Sequence, residues 1–278
     1  MSNTLQPLLS TEHKDHGWKR SQQYSFAAQH AWAPLLLAEL GAVLPFYALA
    51  FAALPQGGFA LAVLQGLHDG ENLFLDANGR WQAGYVPSAY RSYPFALAKV
   101  ADDPQNRMLL CFDHTSKLYR EAPNIALGEE RFFDDEGKPS PFIAQVIQFL
   151  NATHTNRLLT HQAVQAIADA GILEPWVWPF ASPDSARPLL QGFYRIKEAA
   201  LNLLDAATLK GLQQANSLPI IYAQLLSTPR IANLRSLYEQ KQPATQLEKN
   251  INSLFGGVDD DNLNIDWNAI SFDSLDKG

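Results

Sequence analysis

The sequence predicts an α+β protein in which a mixed, largely antiparallel sheet from the N-terminal half packs against helices from the C-terminal half. Residues 1–113 hold apolar runs of strand length between turn residues, and residues 129–241 hold apolar residues at helical spacing behind N-cap residues. Strands followed by helices, rather than alternating with them, are typical of α+β proteins. We therefore expect one α+β domain over residues 1–241 and an acidic tail over residues 242–278.

The first predicted elements are a helix and a buried strand pair. A helix is expected over Ala31–Leu44, where Pro45 would end it. The apolar runs Phe46–Leu54 and Phe59–Leu67 flank a Pro-Gln-Gly-Gly turn and predict an antiparallel pair. Glu39 lies within this apolar environment, and a buried carboxylate requires a partner.

The stretch from Gly70 to Phe95 is the most distinctive of the chain. Its Asn-Gly pair predicts a hairpin over Asn72–Gly84, because this dipeptide favours positive φ. A short helical turn is expected over Ser88–Arg91, directly after a proline. Two further strands, Ala96–Val100 and Arg107–Phe112, complete the strand-rich part.

Helical signals dominate the second half. Ser140 followed by Pro141 predicts a helix start, and apolar residues at helical spacing continue it to about Ala152. Thr160 is the predicted N-cap of a separate helix that ends at Gly171. After a strand over Leu189–Ile196, three more helices are expected to start at Asp205, Ser217 and Thr228.

Composition and missing motifs exclude several classes of function. The net charge is −7, and residues 258–278 alone hold six Asp and one Lys, so the body is nearly neutral. The basic residues are scattered, which argues against nucleic-acid binding. One cysteine excludes an intrachain disulfide and suits a reducing compartment. Motifs of serine hydrolases, phosphate-binding loops, dinucleotide-binding folds and zinc proteases are absent.

The chain shows neither an apolar signal core nor an uninterrupted apolar run of about 18 to 20 residues, so we expect a cytoplasmic protein without membrane insertion. We also expect no cofactor and no bound metal. His13 and His16 would share one face only if that segment were helical, and a solvated turn is the alternative. His154 and His161 are expected to flank a break between two helices.

The preferred binding site is an aromatic and arginine group comprising Trp81, Tyr85, Arg91 and Tyr93. Such a group can stack on a planar ligand or bind a carboxylate, and these residue types dominate binding hot spots. The alternative is that the rings belong to the core and that Arg91 pairs with Glu39 or Asp113.

A second candidate site follows the apolar strand Met108–Phe112. Asp113 and His114 stand at its end, where Asp113 can orient an imidazole and Ser116 or Cys111 can serve as nucleophile. Adjacent side chains of a strand point to opposite faces, so turn chemistry is the alternative.

The acidic tail contains a predicted amphipathic helix followed by a segment of alternating apolar residues. We expect this segment to dock on the body or on a partner through Ile265, Trp267 and Phe272.

The run GRWQAGYVPSAYRSYPF resembles the SapC family of bacterial proteins. The similarity continues through AELGAVLPFYALAF, FFDDEGKPSPF, GILEPW and GFYRIKEAALNLLD, and extends from about Leu8 to Tyr238. The resemblance implies genomic neighbours such as TonB-dependent receptors, tryptophan-halogenase-like proteins and cupin-like hydroxylases. It implies no established catalytic residues.

Two functions are therefore expected as alternatives. The first is a cytoplasmic binding or accessory protein that recognises a peptide or protein partner, with a homo-oligomer left open. The second is an enzyme of unrecognised type that modifies a small molecule or peptide, using Glu39, Arg91, Asp113 and His114.

Overall fold

The structure, a computed structural model, describes residues 5–100, 103, 107–184 and 186–241. The chain divides into two compact units, Met1–Ser236 and Leu237–Gly278. The elements below lie in the first unit. The predicted tail helix and the docking residues Ile265, Trp267 and Phe272 lie outside the described residues.

The strands of the described residues form three sheets, and every pairing within them is antiparallel. The strands are β1 (Leu5–Pro7), β2 (Gly17–Lys19), β3 (Trp32–Pro34), β4 (Leu49–Ala53), β5 (Phe59–Leu64), β6 (Phe95–Lys99), β7 (Met108–Asp113), β8 (Tyr119–Arg120), β9 (Glu129–Arg131), β10 (Leu173–Pro175) and β11 (Phe193–Ile196). Their orders are β10-β11-β4-β5-β3, β1-β7-β6 and β8-β2-β9.

The helices are α1 (Ser10–His13), α2 (Leu40–Val43), α3 (Ser88–Arg91), α4 (Pro141–Asp169), α5 (Glu198–Leu201), α6 (Ala206–Gln214) and α7 (Leu218–Ser227), and a further helix begins at residue 231. The α+β class is confirmed, with strands mostly in the N-terminal half and the long helices in the C-terminal half. The expected single sheet is instead three sheets: β4 and β5 pair with β3 and β11, whereas β6 and β7 pair with β1.

The predicted helix over Ala31–Leu44 is wrong. Residues Trp32–Pro34 form edge strand β3, and a 3₁₀ turn over Leu37–Glu39 leads into the four-residue α2. Leu35 N–H donates to Leu61 O, and hydrogen-bonded residues alternate along β3, so the nitrogen of Pro34 points away from β5. The N–H that proline lacks would therefore not have bonded to β5.

The predicted break between two helices at Thr160 is also wrong, because α4 runs unbroken for 29 residues. The Thr160 hydroxyl donates to Asn156 O at 2.7 Å and accepts from Leu37 N–H at 2.9 Å, so it acts as a bridge rather than as a cap. The Ser140 cap is confirmed by a bond from Ile143 N–H, and Gly171 follows the helix with a φ of +66°.

The predicted strand pairs β4–β5 and β6–β7 and the turn of α3 are confirmed. The hairpin expected over Asn72–Gly84 is reduced to a single bridge between Leu75 and Trp81. The Asn72 side chain fixes the first arm of this expected hairpin instead: Asn72 Oδ1 accepts from Phe74 N–H, and Asn72 Nδ2 donates to Ala27 O.

The later elements agree with the sequence prediction only in part. Asp205 caps α6 as expected, with Thr208 N–H donating to Asp205 Oδ1 at 2.7 Å. Ser217 precedes α7, but its hydroxyl donates to Ala163 O instead of capping the helix. Thr228 begins a 3₁₀ turn that leads directly into the expected helix, which runs from residue 231. The strand expected over Leu189–Ile196 is confined to β11.

The two ends of α4 pack against different apolar cores. Ile143 and Leu150 join a cluster with residues of β6 and β7, including Phe95 and Phe112. Val164 and Ile167, nearer the C-terminal end, are fully buried in the part of α4 that contacts β5. The middle of α4 therefore lies between two cores, and it carries polar side chains at Thr153, His154, Arg157, Thr160 and His161.

Candidate functional site

Glu39 is buried and fully supplied with donors. Its side chain accepts hydrogen bonds from Leu36 N–H (3.0 Å), Tyr85 Oη (2.9 Å), Ser88 N–H (2.7 Å) and Ser88 Oγ (2.7 Å). Two of these donors are backbone amides: Leu36 N–H precedes the 3₁₀ turn Leu37–Glu39, and Ser88 N–H begins α3. The carboxylate thus satisfies the amides at the start of two helical turns. Glu39 is 4% exposed, which leaves it little contact with any ligand.

Arg91 is joined to this carboxylate through Tyr85. Arg91 Nη2 donates to Tyr85 Oη at 3.0 Å, and the guanidinium lies over the rings of Tyr85 and Phe149 at 5.2 and 5.0 Å. Burial, followed by the bond to Glu39, raises the pKa of Tyr85 to about 12. Tyr85 is therefore a neutral relay that connects an exposed cation to a buried anion.

Trp81 and Tyr93 occupy separate environments. Trp81 Nε1 donates to Tyr47 Oη at 2.7 Å, and its ring packs between Tyr24 and Tyr90. Tyr93 stacks on Phe26 at 3.8 Å. The predicted aromatic and arginine group is thus brought together only in part: Trp81 packs among other rings, whereas Arg91 and Tyr93 both line a small groove, and Tyr93 also faces a larger cleft.

His114 belongs to a cluster that sequence spacing did not predict. Its ring lies 4.3 Å from the ring of Tyr119 and 5.7 Å from that of His13, and His13 lies 5.5 Å from His16. Tyr119 Oη also contacts His16 Nδ1. Burial, then the neighbouring His13, lower the pKa of His114, so its imidazole is held neutral.

This histidine cluster is not a metal centre by its geometry. Within the described part of the chain, no group of three or more His, Cys, Asp or Glu side chains is arranged to hold a metal ion. Ser116 Oγ accepts from Leu118 N–H in a turn, and burial raises the pKa of the Cys111 thiol. Neither has the surroundings of an activated nucleophile.

A cleft with a volume of about 740 Å³ lies between β6 and the middle of α4. This volume is within the range of about 300 to 1,000 Å³ that is usual for ligand sites. The wall from the sheet side includes four consecutive residues, Phe95 to Ala98, and the wall from α4 includes Thr153, His154 and Arg157. Successive side chains of a strand alternate in direction, so a cavity lined by four in a row reaches the edge of β6. Leu5, Met108 and Asp113 also line the cleft, which therefore extends across the sheet to β7 and β1.

The outer edge of β6 has unused backbone groups. Asp113 N–H donates to Pro94 O and Val100 N–H donates to Arg107 O, so the even-numbered residues of this strand bond to β7. Antiparallel pairs alternate, which directs the N–H and C=O groups of Leu97 and Lys99 away from β7. Within the described ranges, no other strand pairs with this edge.

A second cavity of about 210 Å³ adjoins the cleft and is mostly apolar. The two cavities share four lining residues: Ser88, Ala89, Thr153 and Arg157. Arg157 is exposed, and no ion pair or hydrogen bond involves its guanidinium among the residues that the structure describes. A cation without a partner therefore lies where the cleft and the apolar cavity meet.

Of the residues that the sequence singled out, Tyr93, Asp113 and His154 line the cleft, and His161 lines the adjoining cavity. Ser88 connects the cleft to the Glu39 network. Arg157 and the edge of β6 were missed. A polar stripe at helical spacing, from Thr153 through Arg157 to His161, was the available signal, but the expected helix break concealed it.

Comparisons with known proteins give one match. A family model described as SapC matches residues 8–234. No curated protein and no solved structure matches the chain. Within the described residues, no helix has both the length and the apolar character needed to span a membrane.

Proposed function

The chain belongs to the SapC family, and we propose that it is a binding protein that recognises an extended segment of a peptide or protein partner. The observation that carries this proposal is the cleft between the open edge of β6 and the helix α4. In this mode the partner segment adds to β6 as a further strand, and α4 forms the opposite wall.

Backbone pairing would supply the affinity. Leu97 and Lys99 each offer one outward N–H and one outward C=O, spaced two residues apart as an incoming strand requires. Side chains of the bound segment that point to alternate faces would contact α4 or the rim near Tyr93. Recognition by strand addition needs no catalytic residue.

The distribution of titratable residues favours binding over catalysis. Glu39 and Arg91 share one network, whereas Asp113 and His114 lie outside it as neighbours of each other, with His114 in the cluster around Tyr119 and Asp113 at the cleft. A catalytic role for these four would need them to converge on one cavity. We further propose that the protein acts in the bacterial cytoplasm, in a system with TonB-dependent receptors and tryptophan-halogenase-like or cupin-like proteins.

Site-specific photo-crosslinking in the host tests the proposal. A benzophenone amino acid at position 154, in the cleft, is compared with one at position 210, on the exposed face of α6. We expect a defined protein adduct from position 154 alone, with the crosslink mapped to an extended segment of the partner.

A matched pair of substitutions then separates strand addition from other contacts. Leu97→Pro removes the outward N–H without removing a bond to β7, and Leu97→Ala shortens the same side chain but keeps the N–H. The adduct should disappear in the proline variant and persist in the alanine variant. Equal adduct formation in the two folded variants would contradict the proposal.

A further inference from the structure

We propose that the partner segment ends at Arg157, so that the site recognises a C-terminal carboxylate whose last side chain is apolar. This inference rests on the proposed function, because it adds an end and a direction to the strand that β6 would bind. It is supported by the joined cavities, by the unpaired charge of Arg157, and by the order of the lining residues along the chain.

The adjoining cavity suits one apolar side chain. Its walls are built mostly from aliphatic and aromatic residues, namely Pro34, Leu35, Leu36, Leu54, Phe59, Ala60, Leu61 and Val164. Arg157 and His161 are the ionisable groups among its described lining residues, and both come from α4. An apolar group in this cavity would therefore have a cation beside it at the entrance.

Arg157 matches a carboxylate in both charge and shape. A guanidinium can donate two parallel hydrogen bonds to a carboxylate, and such charge-assisted pairs are stronger than bonds between neutral groups. His154 and His30 also line the cleft. Asp113 is the acidic residue among the described lining residues, and its Oδ1 already accepts from Thr115 N–H and Oγ1.

The positions of the lining residues along the chain indicate the direction in which the bound segment would run. Ser88 and Ala89, which belong to both cavities, precede β6 in the chain. The junction therefore lies towards the N-terminal end of β6. A segment whose C-terminus reaches this junction would run antiparallel to β6, from the Lys99 end towards the Phe95 end.

The test uses the full chain, immobilised, with two pools of random octapeptides as probes. The pools are identical except that one has free C-terminal carboxylates and the other has C-terminal amides. Mass spectrometry of the retained peptides should show apolar last residues, and retention of the amide pool should be about 10- to 100-fold lower.

Arg157→Gln should reduce retention of the free-acid pool to the level of the amide pool. Lys210→Gln, which removes a cation from the exposed face of α6 outside both cavities, should leave retention unchanged. Equal retention of acids and amides by the native chain would overturn the C-terminal inference. If Leu97→Pro still abolished that retention, strand addition itself would stand.

Two further outcomes have distinct meanings. If Leu97→Pro and Leu97→Ala both retain the peptides as the native chain does, or if no peptide of either pool is retained, the proposed function itself fails. Arg157-dependent binding of dodecanoate without retention of any peptide would identify a lipid carboxylate as the ligand and overturn the inference.

Discussion

Ser88 connects two regions of opposite electrostatic character: it donates hydrogen bonds to the buried Glu39, and it lines the point where the cleft and the apolar cavity meet beside Arg157. Glu39 is buried and accepts hydrogen bonds from Leu36, Tyr85 and Ser88. Arg157 is exposed, borders two cavities and has no described partner. A charge satisfied from within holds the fold together, whereas a charge left unpaired beside a cavity is available to a ligand.

The structure also reverses the order in which the sequence suggests these two charged residues as candidates for ligand binding. Glu39 attracts attention as an acid in an apolar run, yet its donors leave it no free acceptor direction towards the cleft. Arg157 is one of many surface cations in the sequence, yet its position in the middle of α4 places it between two cores. The following predictions separate a structural charge from a ligand-binding charge.

The largest effect on stability is expected for Glu39→Ala. The substitution leaves the buried donors Leu36 N–H, Ser88 N–H and Ser88 Oγ without their acceptor, and each unsatisfied buried group costs about 1 to 3 kcal/mol. The free energy of unfolding, measured with urea, should fall by more than about 3 kcal/mol. The exposed Glu198→Ala control should change it by about 0.5 kcal/mol or less.

A smaller loss is expected for Tyr85→Phe. The variant removes one donor to Glu39 and the acceptor for Arg91, but the ring remains beneath the guanidinium. Urea unfolding should show a loss of about 1 to 2 kcal/mol. An unchanged free energy of unfolding would mean that this relay contributes nothing to the fold.

The stability of the histidine cluster should depend on pH. Since burial and His13 lower the pKa of His114, the folded protein resists a proton that the unfolded chain accepts below the ordinary value of 6.5. Stability from this group is therefore present above about pH 6.5 and is lost as the pH falls. Of the groups that face His114, His13 and His16 lower its pKa, Asp113 raises it, and Tyr119 lies against its ring.

The variant His114→Asn isolates that contribution. The difference in free energy of unfolding between native chain and variant should shrink as the pH is lowered from 8 to 5, and the value at pH 8 measures packing alone. A difference that is constant over this range would contradict a lowered pKa for His114.

The smallest effect on stability is expected for Arg157→Gln. Because the guanidinium has no described partner, the free energy of unfolding should change by about 0.5 kcal/mol or less, while retention of free-acid peptides should fall. A loss of several kcal/mol would show that Arg157 is a structural charge like Glu39 and would remove the contrast between the two regions.

Local signals allowed part of the fold to be predicted. Ser140 before Pro141, Asp205 before α6 and Gly171 after α4 act through bonds to residues a few positions away, so sequence spacing is sufficient to identify them. The strand pair β4–β5 was predicted because its two apolar runs are joined by a short turn.

Long-range contacts account for the elements that were missed. Trp32–Pro34 is a strand because β5 offers it a partner, and Thr160 lies within a helix because its hydroxyl bridges to Leu37. In the candidate site too, local features could be predicted and long-range contacts could not. Burial of Glu39 was predictable from its apolar neighbours, but the meeting of Ser88 with Arg157 depends on packing between segments far apart in the chain.

The open edge of β6 is the central claim, and residue-resolved amide hydrogen exchange of the full chain tests it directly. The pairing register assigns the N–H groups of Ala96 and Ala98 to β7, whereas the N–H of Leu97, a residue that lines the cleft, points away from β7. We predict protected amides at Ala96 and Ala98 and an amide at Leu97 that exchanges about 100-fold faster or more, as expected for a group outside the ladder. Equal protection of all three amides would show that the edge is already covered, and would contradict binding by strand addition at β6.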